Sequence, residues 1–166
     1  MKRVHAFAVF IAMGLTSCWS QTQQTVPLEV KDKIVLALLQ SNSSTADDPK
    51  GGHHESGFKW GKDTAGNVIV SMSIQGARCG KKCYEYFIPA DPSVDEKFAT
   101  IDGFVHVHPK GDVVESYVQP PSAEDIAFAA GTEGAINIVV GAASKKVYFF
   151  NGAGLIRAES LKDFMK

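Results

Sequence analysis

Residues 104–128 read FVHVHPKGDVVESYVQPPSAEDIAF, and this stretch constrains the chain more than any other. His106 and His108 stand one residue apart and Pro109 stops the run. The preceding IDGFVHV is rich in β-branched and aromatic residues and predicts a strand. Side chains at i and i+2 of a strand share a face about 7 Å apart, so both imidazoles can converge on one ion. After a polar, glycine-containing loop, Ser122-Ala123-Glu124-Asp125 opens an apolar run and predicts a helix start. Asp125 can then add an oxygen ligand from the first turn. Two nitrogens and one carboxylate leave a tetrahedral Zn²⁺ one open position, the layout of a catalytic rather than a closed structural site. The structural alternative is a helix cap, with Ser122 at the N-cap and Asp125 at N3 near the positive end of the dipole. Either half alone is a weak signal. Joined in one strand–loop–helix unit, with each half at an element end where the other can reach it, they favour the metal.

The string His106-Val107-His108-Pro109, then Gly111-Asp112, then Pro121-Ser122-x-x-Asp125-Ile126 resembles the signature of the JAMM metallopeptidase superfamily (JAB/MPN fold). It looks most like the bacterial RadC-like branch, HxHPxGD followed by PSxxDI. The connection departs from that pattern: thirteen residues separate His108 from Ser122, more than is usual in the family. The resemblance implies an α/β fold, a mixed β-sheet packed with helices in a cytidine deaminase-like arrangement, with zinc on His106, His108 and Asp125. It also implies a glutamate general base at the head of an earlier strand. Glu55, followed by Gly57, Trp60 and Gly61, resembles that arrangement, against the alternative that HHES is a solvated loop. Glu85 and Glu115 are the competing carboxylates. Ser122 resembles the family's serine, whose hydroxyl supports the reaction's oxyanion, and it can cap its helix as well.

Residues 1–20 stand apart from the domain. Lys2 and Arg3 precede a short apolar run, Ala6 to Leu15, of signal-peptide length and too short for a membrane span. Leu15-Thr16-Ser17-Cys18 also fits a bacterial lipobox, with Cys18 lipidated; ordinary cleavage near Ser20 is the rival. Residues 21–26 then form a tether and 27–166 the domain. Without Lys2 and Arg3 the balance is 15 basic against 18 acidic residues, a net −3. That speaks against a nucleic-acid partner and against carrying over the DNA connection of the RadC-like branch. An exported chain meets an oxidising compartment, so Cys79 and Cys83 are expected to form a small loop disulfide rather than a thiolate metal site.

In order, the patterns predict a helix over Leu28–Leu39, a loop over 41–52 and a hairpin of Phe58–Asp63 with Asn67–Ile74. Strands at Cys83–Ile88, the HxH segment, Ile136–Ala142 and Lys146–Asn151 follow, with the Ser122 helix between the second and third. A short amphipathic helix over Arg157–Met165 closes the chain. The function expected is an exported, zinc-dependent hydrolysis of peptide or isopeptide bonds in a periplasmic or outer-membrane setting. Zinc would lower the pKa of its water from about 15.7 to about 7, and Glu55 would take the proton. The alternative class is a non-catalytic JAMM-like binding module, a scaffold or an antagonist of a partner.

Overall fold

The computed structural model describes residues 25–79, 92–112, 117–132 and 134–166. Helix α1 (Leu28–Asn42) starts at Pro27, whose carbonyl accepts from Val30 and Lys31. Strands β1 (His54–Lys62), β2 (Val68–Val70) and β3 (Ile74–Arg78) follow, then a short helix α2 (Pro92–Asp95) and β4 (Thr100–His108). Helix α3 (Ala123–Ala130) leads to β5 (Ile136–Gly141), β6 (Lys146–Asn151), β7 (Gly154–Ser160) and a final turn of helix, α4 (Leu161–Phe164). Among the described residues the strands form one seven-stranded sheet in the order β2-β1-β4-β5-β6-β7, with β3 also paired to β1. Every pairing is antiparallel except β4 with β5, and α3 lies on the crossover between those two. The chain is therefore mixed α/β. Among the described residues no helix is long and apolar enough to cross a membrane.

The two faces of the sheet carry different chemistry. One packs against α1: Val30, Ile34 and Ala37 meet Phe58, Trp60, Val105, Val107, Ile138, Val140, Val147 and Phe149 in the main core. The opposite face carries α3, where Ala129 and Ile126 pack with Val139, Tyr148 and Phe150, and Phe104 meets Phe128 edge to face at 5.1 Å. Strand β4 runs between them and is buried continuously from Gly103 to His108. Its residues alternate, so Val105 and Val107 enter the α1 core while Phe104, His106 and His108 turn to the α3 side. A strand covered on both faces loses the usual in-out alternation of burial, which allows polar imidazoles to be buried beside valines.

The turn after β1 was legible in its residues. Asp63 Oδ1 accepts from Ala65 N at 2.9 Å and Asn67 N at 2.8 Å, and Gly66 takes φ +85°. The strands around it differ from expectation. β1 begins at His54 rather than Phe58, because its first residues pair with β3 on one side and β4 on the other. The expected Asn67–Ile74 strand breaks at Ser71, whose Oγ accepts from Lys59 N at 3.0 Å while Ser71 N donates to Lys59 O at 2.9 Å. The α2 turn was not anticipated; Asp95 at its end pairs with the buried Lys59 Nζ at 2.6 Å.

The helix expected over Arg157–Met165 is corrected. Residues 154–160 form β7 against the edge of β6, with Lys146 opposite Ser160 and Phe149 opposite Arg157. The Arg157 guanidinium lies 3.7 Å above the Phe149 ring. Helix is confined to α4, capped by Ser160 Oγ accepting from Asp163 N at 3.0 Å. The expected Cys83–Ile88 strand, the signal segment and the tether through residue 24 lie outside the described residues.

Candidate metal centre

The centre is built where the end of β4 meets the start of α3. His106 Nε2 and His108 Nε2 stand 3.0 Å apart. Asp125 Oδ1 is 3.1 Å from His106 Nε2, and Asp125 Oδ2 is 3.3 Å from His108 Nε2. All three side chains are buried, and together they form a group able to hold a metal ion. Ligand atoms about 2.0–2.1 Å from a tetrahedral zinc lie about 3.3–3.4 Å from one another. The two imidazole nitrogens and the Asp125 oxygen nearest each of them are separated by close to that edge. One ligand atom from each of the three residues lies within 4.8 Å of the others, so the group can gather on one small divalent ion.

Two neighbours hold the candidate ligands in place. His108 Nδ1 is 2.9 Å from Val118 O. A carbonyl only accepts, so Nδ1 carries the proton and Nε2 presents its lone pair to the centre. Asp125 is fixed by a capping box: Ser122 Oγ accepts from Asp125 N at 3.1 Å, and Asp125 Oδ2 accepts from Ser122 N at 2.6 Å. Ser122 Oγ also donates its single proton to Asp125 Oδ2 at 2.8 Å. The cap and the ligand were posed as alternatives, but one carboxylate serves both geometries. Oδ2 closes the helix start while Oδ1 faces His106.

Glu55 reaches the same face. In the β1–β4 register Gly57 lies opposite His106 and Ser56 opposite Val107. Opposed residues of an antiparallel pair project to one side, so Glu55, two residues before Gly57, projects to the side of His106 and His108. It is buried, which rules out the solvated-loop alternative for HHES. Burial pushes the Glu55 carboxyl up, and the neighbouring charge of Asp125 adds to this; His106 and His108 pull it part of the way back. For Asp125 burial acts upward too, but the hydrogen bonds and charges of His106 and His108 outweigh it and hold the carboxyl well below the usual range. Burial alone would lower His108, yet Asp125, then Glu55 and the Val118 carbonyl, raise it. Without a metal, then, the charge of Asp125 favours a proton on His108. A cation at the centre would take that proton's place, as metal binding at deprotonated ligands requires.

Among the described residues, the other two histidines, His53 and His54, are not drawn into the centre. His54 Nδ1 donates to Gly76 O at 2.8 Å and its Nε2 lies 3.0 Å from Thr45 Oγ1. His53 pairs with Asp48, Nδ1 to Oδ1 at 2.9 Å and backbone N to Oδ2 at 3.0 Å. Both line or adjoin an open cleft of about 360 Å³ bounded by Asp47, Lys50, His53, Arg78 and Asp112. The Asp48–His53 pair was missed in the sequence, where only the adjacency of Asp47-Asp48 and His53-His54 hinted at it. Cys79 is buried. Its expected partner Cys83 lies outside the described residues, as do Cys18, Glu85 and Glu115. No protein-family model, curated protein or solved structure matches the chain.

Proposed function

We propose that this chain is a metal-dependent hydrolase of amide bonds in peptides or proteins, of the JAMM type that its HxHPxGD and PSxxDI strings resemble, with zinc held by His106, His108 and Asp125. The observation that carries the reading is the convergence of three buried side chains, one ligand atom of each within 4.8 Å of the others, with a buried carboxylate, Glu55, on the same side of the sheet. Zinc bound there would polarise a carbonyl and bring a coordinated water's pKa to about 7.

The chain's own residues supply the rest. Glu55 takes the proton of the attacking water and returns it to the leaving amine; a burial-raised carboxyl suits both steps better than an ordinary surface one. Ser122 first of all holds Asp125, because its one hydroxyl proton lies on Oδ2. Donation to a reaction oxyanion would need that hydroxyl to turn away. The net −3 of the chain beyond residue 20 favours a peptide or protein substrate over nucleic acid. Export, a periplasmic or outer-membrane location and an anchor at Cys18 complete the proposal.

The test is metal content together with turnover of the purified protein. About one zinc per chain is expected, lost in His108→Ala and Asp125→Ala. Glu55→Gln should keep the metal and lose at least about a hundredfold in hydrolysis, since general-base catalysis is worth about 10²–10⁴. Full occupancy in Asp125→Ala would end the ligand assignment. Activity retained in Glu55→Gln would end its role as base. A zinc-loaded wild type inert towards a broad peptide panel would favour the non-catalytic binding module.

A further inference from the structure

His108 is held from behind by a main-chain carbonyl that no regular element positions. Residues 117–119 belong to neither helix nor strand, yet Val118 O receives the His108 Nδ1 proton at 2.9 Å. The Val118 side chain is 69 % exposed, so packing does not hold that carbonyl in place. Its two neighbours do: Tyr117 Oη donates to Cys79 O at 2.9 Å, and the Gln119 carboxamide ties the main chain on either side. Gln119 Nε2 donates to Pro109 O at 3.0 Å and to Tyr117 O at 3.0 Å. Gln119 Oε1 accepts from Ala143 N at 2.8 Å and Ser144 N at 3.2 Å.

A carboxamide has two donors and two acceptor lone pairs, and here all four go to backbone groups. They join the residue just after His108, the residue just before Val118, and the turn between β5 and β6. That turn is itself tied to the ligand strand, since Ala142 N donates to His108 O at 3.0 Å. Gly141 leaves the room: a Cβ there would press on Gln119 Oε1 at 3.0 Å and on Ser144 Oγ.

We infer that Gln119 is the positioning residue for His108, fixing the Val118 carbonyl so that the imidazole is locked as its Nδ1–H tautomer with Nε2 turned to the metal. The hydrogen bond at one ring nitrogen sets what the other can ligate. The purpose of the device rests on the metal reading above, but its geometry does not.

Two variants separate positioning from mere support. Gln119→Leu removes all four bonds. Gln119→Glu keeps the acceptors for Ala143 and Ser144, so the turn stays anchored, but sets a carboxylate against the carbonyls of Pro109 and Tyr117. In metal-free protein labelled with ¹⁵N-histidine, at a pH where the imidazole is neutral, long-range ¹H–¹⁵N correlation should show His108 as one Nδ1–H tautomer in the wild type and as a mixture in both variants. Zinc affinity, read by competition with a chromophoric chelator, should fall about 10–100-fold. A folded Gln119→Glu with the wild-type tautomer and affinity within about twofold overturns the inference; if Gln119→Leu does not fold, Gln119→Glu decides alone. If wild type takes up no more zinc than His108→Ala, the metal reading falls, and the tautomer comparison still decides the role of Gln119.

Discussion

Gly57→Ala puts one methyl group against the centre and makes a prediction with two separable parts. Gly57 is paired on both sides, opposite Ile74 in β3 and His106 in β4. A Cβ there would lie 2.9 Å from Val105 O and 3.1 Å from His106 Cβ. Ordinary contacts begin about half an ångström further out, and one of the two atoms is backbone, so β1 and β4 must part or His106 must move. Overpacking of this kind costs about 1–3 kcal/mol, which is the first part. The second concerns the metal alone: ligand distances in a metal site hold to about 0.2 Å, and relieving the contact by even a few tenths of an ångström at His106 or along β4 exceeds that. Zinc affinity should therefore fall about tenfold or more, equivalent to about 1.4 kcal/mol of lost zinc-dependent stabilisation.

The assay is urea unfolding with chelator and again with saturating zinc, beside a direct zinc titration. Gly61→Ala is the control. Its Cβ would run into the Thr100 carbonyl oxygen, a worse clash, but four residues along β1 and about 13 Å away. It should lose more stability than Gly57→Ala without zinc, yet keep the affinity of whatever molecules remain folded. Equal zinc affinity in the two variants, or a Gly57→Ala protein that binds as wild type, would refute the claim that this glycine clears space for a ligand.

Two further outcomes are expected. The bonds that Asp48 accepts from the backbone N–H and ring of His53 outweigh its burial and hold its carboxyl below the ordinary 3.8. That stabilisation is complete above pH 3.8 and is lost as the pH falls through the lower, folded value. Asp48→Asn should therefore be less stable than wild type at neutral pH, with the gap closing in acid melts below about pH 4; a gap constant with pH would contradict this account. For the cysteines, protein prepared from an oxidising compartment should show Cys79 joined to Cys83 by peptide mapping. Replacing both with serine should cost less than about 3 kcal/mol, because the loop they close is short, and should leave zinc binding intact.

How much of this was legible in the residues depended on whether a rule of local geometry applied. His106 and His108 were readable because i and i+2 of any strand share a face, whatever the strand pairs with. Asp125 was readable because a capping box places its N3 carboxylate at the helix start, and a helix start facing a strand end brings that carboxylate to the imidazoles. Glu55 was harder. His54 to Gly57 carries no apolar residue to mark it as buried, and only pairing on both sides made β1 begin there. The closing strand was illegible for the reverse reason. Leu155 and Ile156 are adjacent and both exposed, so β7 shows no alternation, and its conformation comes from the otherwise open edge of β6 rather than from its own residues. Val118 was beyond reach altogether, since a carbonyl that orients a ligand belongs to the backbone and leaves no trace in residue identity. The side chain that places it does leave one: Gln119 stands eleven residues after His108, in the part of the connection where the family resemblance is weakest. A candidate ligand set can thus be read from a motif, while the groups that orient it are read only once the chain between the motif's halves has been followed.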